Sequence, residues 1–208
     1  MDLGPISSAI RARMDAKMAA REKGLPASRG AIRFCANSIR ATHRGDTELA
    51  EQLMGEARAA LDTAQKAMEP FPAIYYAGFL QDAEKEYAEA RLTAALIRGL
   101  DIPGPEDLNV GDAPYLNGMT EAIGELRRHV LDIMRHGDLE RGEELLALMD
   151  DIYYVLIAMD YPDAITGGLR RSTDVARSIM ERTRSDLSLT LVQQNLQNAI
   201  AEHQKRLG

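Results

Sequence analysis

Two acidic stretches carry the side chains best placed to do chemistry. In "DAEKEYAEA" (82–90), Asp82, Glu86 and Glu89 follow one another at helical spacing, and in "TEAIGELRR" (120–128) Glu121 and Glu125 do the same. Residues three and four apart on a helix are neighbours, so like charges at that spacing repel. Glu86 has Asp82 four residues before it and Glu89 three after, with only Ala83 and Ala90 at its other neighbour positions. Glu121 is flanked in the same sense by Asn117, Gly118, Gly124 and Glu125, so neither acid has a cation within reach on its own helix. If the two helices pack antiparallel, Glu86, Glu89, Glu121 and Glu125 can converge, and a shared divalent cation would relieve their repulsion. Four hard oxygen donors without a histidine suit Mg²⁺ or Mn²⁺, and disfavour zinc and a carboxylate–histidine di-iron centre. On spacing alone, a solvated face in which Glu125 pairs with Arg128 serves equally well. Gly118 and Gly124 are poor helix residues, and beside an acid pair they point to close approach by a backbone or a ligand.

A second constellation is basic. "RGAIRFCANSIRATHR" (29–44) contains no Asp or Glu, although the chain as a whole has a net charge of −7. Arg29, Arg33, Arg40 and Arg44 fall within a stripe roughly 60° wide on a helix, while Ile32, Cys35 and Ile39 form the neighbouring apolar face. Planar guanidinium forks suit bidentate contact with phosphate, so the stripe could read the backbone of a single-stranded nucleic acid. Arg21, Lys23 and His43 could extend it. A merely solvated or internally paired arginine face has the same pattern. Cys35 reads as a small core residue.

The elements that must hold these residues read as seven helices. They span about Ile6–Lys23, Arg29–Arg44 (capped by Ser28), Thr47–Glu69, Ala73–Arg98, Tyr115–His136, a sixth from the Asp138 cap to Ala158, and Thr166–Arg206. Gly24 and Pro26 are expected to stop the first, and Ser185-Asp186 to bend or break the last. The segment "GLDIPGPEDLNVGDAP" (99–114) is expected to be a flexible loop. Short linkers place successive helices antiparallel, which gives an all-α bundle forming a single domain over 1–208. "IYYVLIAM" (152–159) is apolar around nearly its whole circumference, as suits a bundle centre or half of a subunit interface, so an oligomer is expected.

Composition agrees with that class. The chain has 208 residues, enough for a substantial core, and its 5% aromatic content and lack of tryptophan argue against a β-sandwich or barrel. One cysteine excludes an internal disulfide and a cysteine-cluster metal site. No apolar run is long enough to span a membrane, and the start has neither a signal core nor a lipidation motif, so a cytoplasmic location is expected.

In order along the chain, "SRGAIRFCANSIRATHRGD", "YYAGFLQDAEKEYAEA", "PYLNGMTEAIGELRRHVLDIMRHGD" and "GLRRSTDVARSIMERTRSDLSL" resemble the blocks of the translin superfamily. The resemblance runs from about Arg21 to Leu189. It implies a seven-helix bundle assembling into homo-octamers that bind single-stranded or short structured RNA, and possibly DNA. It further implies a Mg²⁺-dependent endoribonuclease of the type of translin-associated factor X. That catalytic subunit's acidic cluster is matched by Glu86-Tyr87-Ala88-Glu89 and by Glu121 and Glu125 before Leu126, with Glu121 standing where the family's catalytic subunit has aspartate. On this reading Glu86, Glu89, Glu121 and Glu125 are catalytic metal ligands, and the metal polarises the phosphate and activates a water. Arg21, Arg29, Arg33, Arg40, His43, Arg44 and Arg128 hold the nucleic acid, with Arg128 either touching phosphate or tethering Glu125. The alternative is a non-catalytic single-stranded RNA- or DNA-binding oligomer of the translin type.

Overall fold

The computed structural model describes residues 2–207, and no strand occurs among them. Six long helices make the bundle: α1 (Gly4–His43), α2 (Thr47–Met68), α4 (Phe79–Arg98), α6 (Asp112–Met134), α7 (Leu139–Ala158) and α9 (Leu169–Leu207). Between them lie three single turns, α3 (Pro72–Tyr75), α5 (Pro105–Leu108) and α8 (Asp163–Thr166). The all-α expectation holds, with boundaries that differ in instructive ways. No helix among the described residues is long and apolar enough to cross a membrane.

The first two expected helices are one. Pro26 lies inside α1 on an exposed position, and Ser28 does not cap a new helix but returns its hydroxyl to the Gly24 carbonyl at 3.0 Å. Gly24 is a notch, not a stop: a Cβ there would lie 2.7 Å from Met68 Sδ at the end of α2. Ser38 then ties the same helices together by donating to Ala50 O at 2.8 Å. The expected helix from Ala73, by contrast, is divided. Gly78, at φ +101°, breaks it, and Gln81 bridges the break by accepting from Gly78 N and donating to Tyr75 O. Tyr76, beside the break, is 74% exposed.

α4 packs against α1, α2 and α6, and α6 in turn against α7 and α9. Leu80, Leu92, Ile123, Leu126, Leu145 and Met149 are almost fully buried at these contacts. Each such side chain contributes about 1.5–3 kcal/mol relative to exposure. α9 runs without a break through Ser185-Asp186, because Asp186 accepts from Arg127 of α6 at 2.8 Å and so fixes the helix where a bend was expected.

The 99–114 segment is likewise pinned. Arg58 donates to Leu108 O, Gln65 to Asn109 O, and Tyr115 to Pro103 O, while Leu108 is buried. Glu84, 3% exposed, accepts from Gln65 and from the backbone N–H of Gly111. Apolar stripes stay uncovered on the outer surface: Ile6, Ile10, Met14 and Met18 on α1, and Leu189, Val192, Leu196 and Ile200 on α9. In α7, Ile152 and Leu156 are buried while Tyr154, Val155 and Ile157 are exposed.

Candidate functional site

The seam between α4 and α6 is unusually close because Gly118 permits it. A Cβ at that position would lie 2.7 Å from Lys85 O and 2.9 Å from Ala88 Cβ and Glu89 N. Gly124 has no such duty, since its Cβ would meet only Ile179 Cδ1 at 3.9 Å. The apolar stripes of both helices face inward, with Leu80, Ala83, Tyr87 and Ala90 meeting Ile123 and Leu126 in one core. The acids therefore line the edge of that contact.

Three of them meet. Glu86, Glu89 and Glu121 each offer a carboxylate oxygen, all within 4.8 Å of one another. Glu89 is the most enclosed at 9% exposure. Burial, followed by the charges of Glu121, Glu86 and Glu125, pushes its carboxyl up to about 8. Glu86 is raised for the same leading reason, with Lys85 opposing the rise. Asp82, one turn before Glu86, is exposed.

Lys85 is the group that spacing arguments missed. Its ammonium lies 2.6 Å from Glu121 Oε1 and 3.4 Å from Glu86 Oε1, although on the helix it merely adjoins Glu86 in sequence. Burial works against its charge, yet the bond to Glu121 and both carboxylates outweigh that and hold its pKa above the ordinary lysine value. A cation is thus already drawn to this spot, and the hard-oxygen donor set fits a divalent metal there.

Glu125 stands apart from the triad. One turn beyond Glu121, it receives His43 Nε2 at 2.5 Å and has Arg128 at 3.7 Å. The His43 hydrogen bond keeps its carboxyl below the ordinary value, so Glu125 is held as a carboxylate. His43 itself has a side chain only 3% exposed. It does not extend the exposed arginine face; it belongs to the acidic seam.

The cluster opens outward into a cavity of about 410 Å³, lined by Glu89, Thr120, Glu121, Arg171, Ser172, Val175 and Ile179. Asn117 sets the α9 wall by donating to Thr166 O at 2.7 Å and accepting from Ser172 at 3.1 Å. Arg171 is a second functional candidate that the acidic spacing could not have found.

On α1, Arg21, Arg29, Arg33 and Arg40 are all exposed, as is Arg44 at its C-cap. Arg21 pairs with Glu22, Arg40 donates to Asn37 at 3.1 Å, and Arg33 lies over the Phe34 ring. Among the described residues no carboxylate lies within ion-pair distance of Arg29, Arg33, Arg40 or Arg44. The inner face of the same helix reaches the acids. Cys35 is fully buried, and burial pushes its thiol up to about 12, the charges of Glu86 and Glu89 adding to the effect.

No family model matches the chain. An uncharacterized protein of Methanocaldococcus jannaschii is 31% identical over 194 residues, which span 92% of this chain and 83% of that protein. Among solved structures, AfC3PO of Archaeoglobus in complex with duplex RNA is 36% identical, with a TM-score of 0.83 over 89% of this chain and 96% of that one. AfC3PO without the RNA superimposes with a TM-score of 0.82 at the same identity and coverage. Apo-NeC3PO of Nematostella is 19% identical with a TM-score of 0.80, over 91% of this chain and 99% of that one, a likeness of fold.

Proposed function

The chain belongs to the translin superfamily, and from that premise we propose that it is an RNA-binding, Mg²⁺-dependent endoribonuclease working as a homo-oligomer. The observation that carries the reading is the meeting of Glu86, Glu89 and Glu121 from two helices at the mouth of a cavity. These three would hold the ion, while Glu125, the fourth acid expected from the sequence, stands one turn beyond them as a carboxylate held by His43 and adds its negative charge to the cluster. A divalent cation bound there supplies Lewis acidity and a water acidic enough to act as nucleophile near neutral pH.

The remaining roles fall to side chains of this chain. Arg29, Arg33, Arg40 and Arg44, with Arg21 and Arg128, neutralise the phosphates of a strand laid along α1. His43 holds Glu125 ionised and oriented toward the seam. Lys85 neutralises Glu121 and Glu86 in the metal-free protein and must release them when a divalent ion enters. Burial of Glu89 excludes water from one side of the cluster, which strengthens the field there. AfC3PO forms a complex with duplex RNA, so structured RNA joins single strands in the substrate class. The uncovered apolar stripes of α1 and α9, and the exposed half of α7, support assembly into a higher oligomer such as an octamer.

A second reading, a binding oligomer that does not cut, draws support from Lys85, whose ammonium balances the acids without any metal. Purified protein with Mg²⁺ and a short RNA separates the two. Cleavage that vanishes with EDTA and in Glu86→Ala, while RNA affinity stays intact, is the expected result; undiminished cleavage by Glu86→Ala would remove the acidic cluster as the active site, and binding without cleavage by wild type would leave the non-cutting oligomer.

A further inference from the structure

Among the described residues, Arg171 is the one cation in the wall of the cavity beside the acidic cluster. Ser172, Val175 and Ile179 recur three and four residues apart on α9, so one flank of that helix faces the space of about 410 Å³. Arg171 stands at the edge of this flank and completes a wall that Glu89 and Glu121 share. Its neighbour Arg170, about 100° round the helix, pairs with Asp160 at 3.0 Å. Arg171 has no carboxylate within ion-pair distance among the described residues, although two line the same cavity.

The backbone that carries this free guanidinium is fixed. Leu169 and Thr173, on either side of it, are buried. Ser172 donates to Asn117 at 3.1 Å, and Asn117 donates to Thr166 O at 2.7 Å, just ahead of the helix. The first turn of α9 is thereby held against α6, on which Glu121 follows Asn117 by one turn.

A phosphodiester entering from the cavity meets the acids first, and like charges repel. Lys85 is committed to Glu121 and Glu86, so it does not neutralise the open side. Arg171 is the group that does, and its planar fork matches two oxygens of one phosphate. The cavity also falls in the size range of sites that hold small molecules, which leaves room for more than an ion. Val175 and Ile179 give it an apolar wall.

We propose that Arg171 grips the RNA phosphate that lies at the acidic cluster, with the adjoining nucleoside against Val175 and Ile179. This rests on the proposed function and adds to it a residue that touches the substrate. The arginines of α1 hold the strand along its length, whereas Arg171 selects which phosphate sits at the acids.

The test compares wild type with Arg171→Gln, Arg171→Lys and Arg170→Gln in the full chain. Both arginines are exposed, so the four melting temperatures should agree closely. Affinity for a short single-stranded RNA is measured with Ca²⁺ in place of Mg²⁺, and the RNA is checked to be intact. Arg171→Gln should weaken binding at least about tenfold, Arg171→Lys by less, and Arg170→Gln by under about twofold. Mn²⁺ affinity without RNA should not fall in Arg171→Gln. RNA affinity unchanged in Arg171→Gln overturns the proposal, and so does an equal loss in Arg170→Gln, which is general attraction. A fall in Mn²⁺ affinity also overturns it, because Arg171 would then support the cluster itself. Cleavage in Mg²⁺ is scored separately. Wild type that binds RNA through Arg171 without cutting retains this contact and refutes the nuclease. Cleavage and binding both undiminished in Arg171→Gln do the reverse, and no RNA binding by wild type removes both.

Discussion

The α4–α6 seam and the outer face of α1 both concentrate charge of one sign, but they stand in opposite surroundings. The four arginines of α1 lie in water, where solvent and salt disperse their repulsion and no partner is needed. The acids of the seam are partly or wholly enclosed, and each has drawn a compensating feature: Lys85 for Glu121 and Glu86, His43 for Glu125, and a carboxyl pushed up to about 8 at Glu89. The difference teaches that only the acidic region stores its geometry in packing. Substitutions should therefore change fold and ligand affinity together in the seam, and only ligand affinity on α1.

Gly118→Ala should break the seam hardest. A methyl group 2.7 Å from Lys85 O has nowhere to go, so urea unfolding should show a loss of about 1–3 kcal/mol, and Mn²⁺ affinity should fall with it. Gly124→Ala meets no such obstacle and should be neutral or stabilising by up to about 1 kcal/mol. Equal losses at the two positions would show that the close approach does not organise the acids.

A smaller effect should follow pH. Glu89 is raised from 4.5 to about 8 in the folded chain, so between those values the native state binds more protons than the unfolded one. Its stabilising contribution is complete below 4.5 and is lost as pH rises through about 8. Glu125 is shifted the other way, and its contribution changes only below the ordinary carboxylate range, outside this window. In EDTA, wild type should lose on the order of 2 kcal/mol relative to Glu89→Gln between pH 5 and pH 8.5. Parallel pH curves for the two proteins would remove Glu89 from the buried cluster.

The smallest change in stability should come from the arginine face. Arg29→Gln or Arg33→Gln should alter unfolding by no more than about 0.5 kcal/mol. Each should nonetheless reduce the slope of log affinity for RNA against log salt by about one. An unchanged slope in both variants would take α1 out of the RNA contact.

The same contrast explains what could be read from sequence. Leu80, Ala83, Tyr87, Ile123, Leu126 and Val130 recur at helical spacing and are buried, and such a core is legible because burial of a helical stripe is a local, periodic demand. Gly118 announced itself as a poor helix residue beside acids, and it is indeed where two backbones approach. Gly24 and Pro26 carried the same kind of signal and misled. The notch against Met68 and the continuity of α1 depend on a helix more than forty residues away. Lys85 and His43 were invisible as partners for a related reason. Neighbour rules along one helix cannot find a lysine reaching across to Glu121, or a histidine 82 residues from Glu125. The arginine stripe was legible because exposure asks nothing of the rest of the fold.

Cys35 sits between these two regions, enclosed by the body of α1 and facing the charge of Glu86 and Glu89. Raising a thiol from 9.0 to about 12 leaves roughly a thousandfold less thiolate at neutral pH, and thiolate is the form that oxidants and electrophiles attack. The acidic seam therefore shields the chain's one sulfhydryl as a by-product of its own electrostatics. While folded, the protein offers oxidants almost no thiolate, so disulfide cross-links between its subunits have no ready starting point.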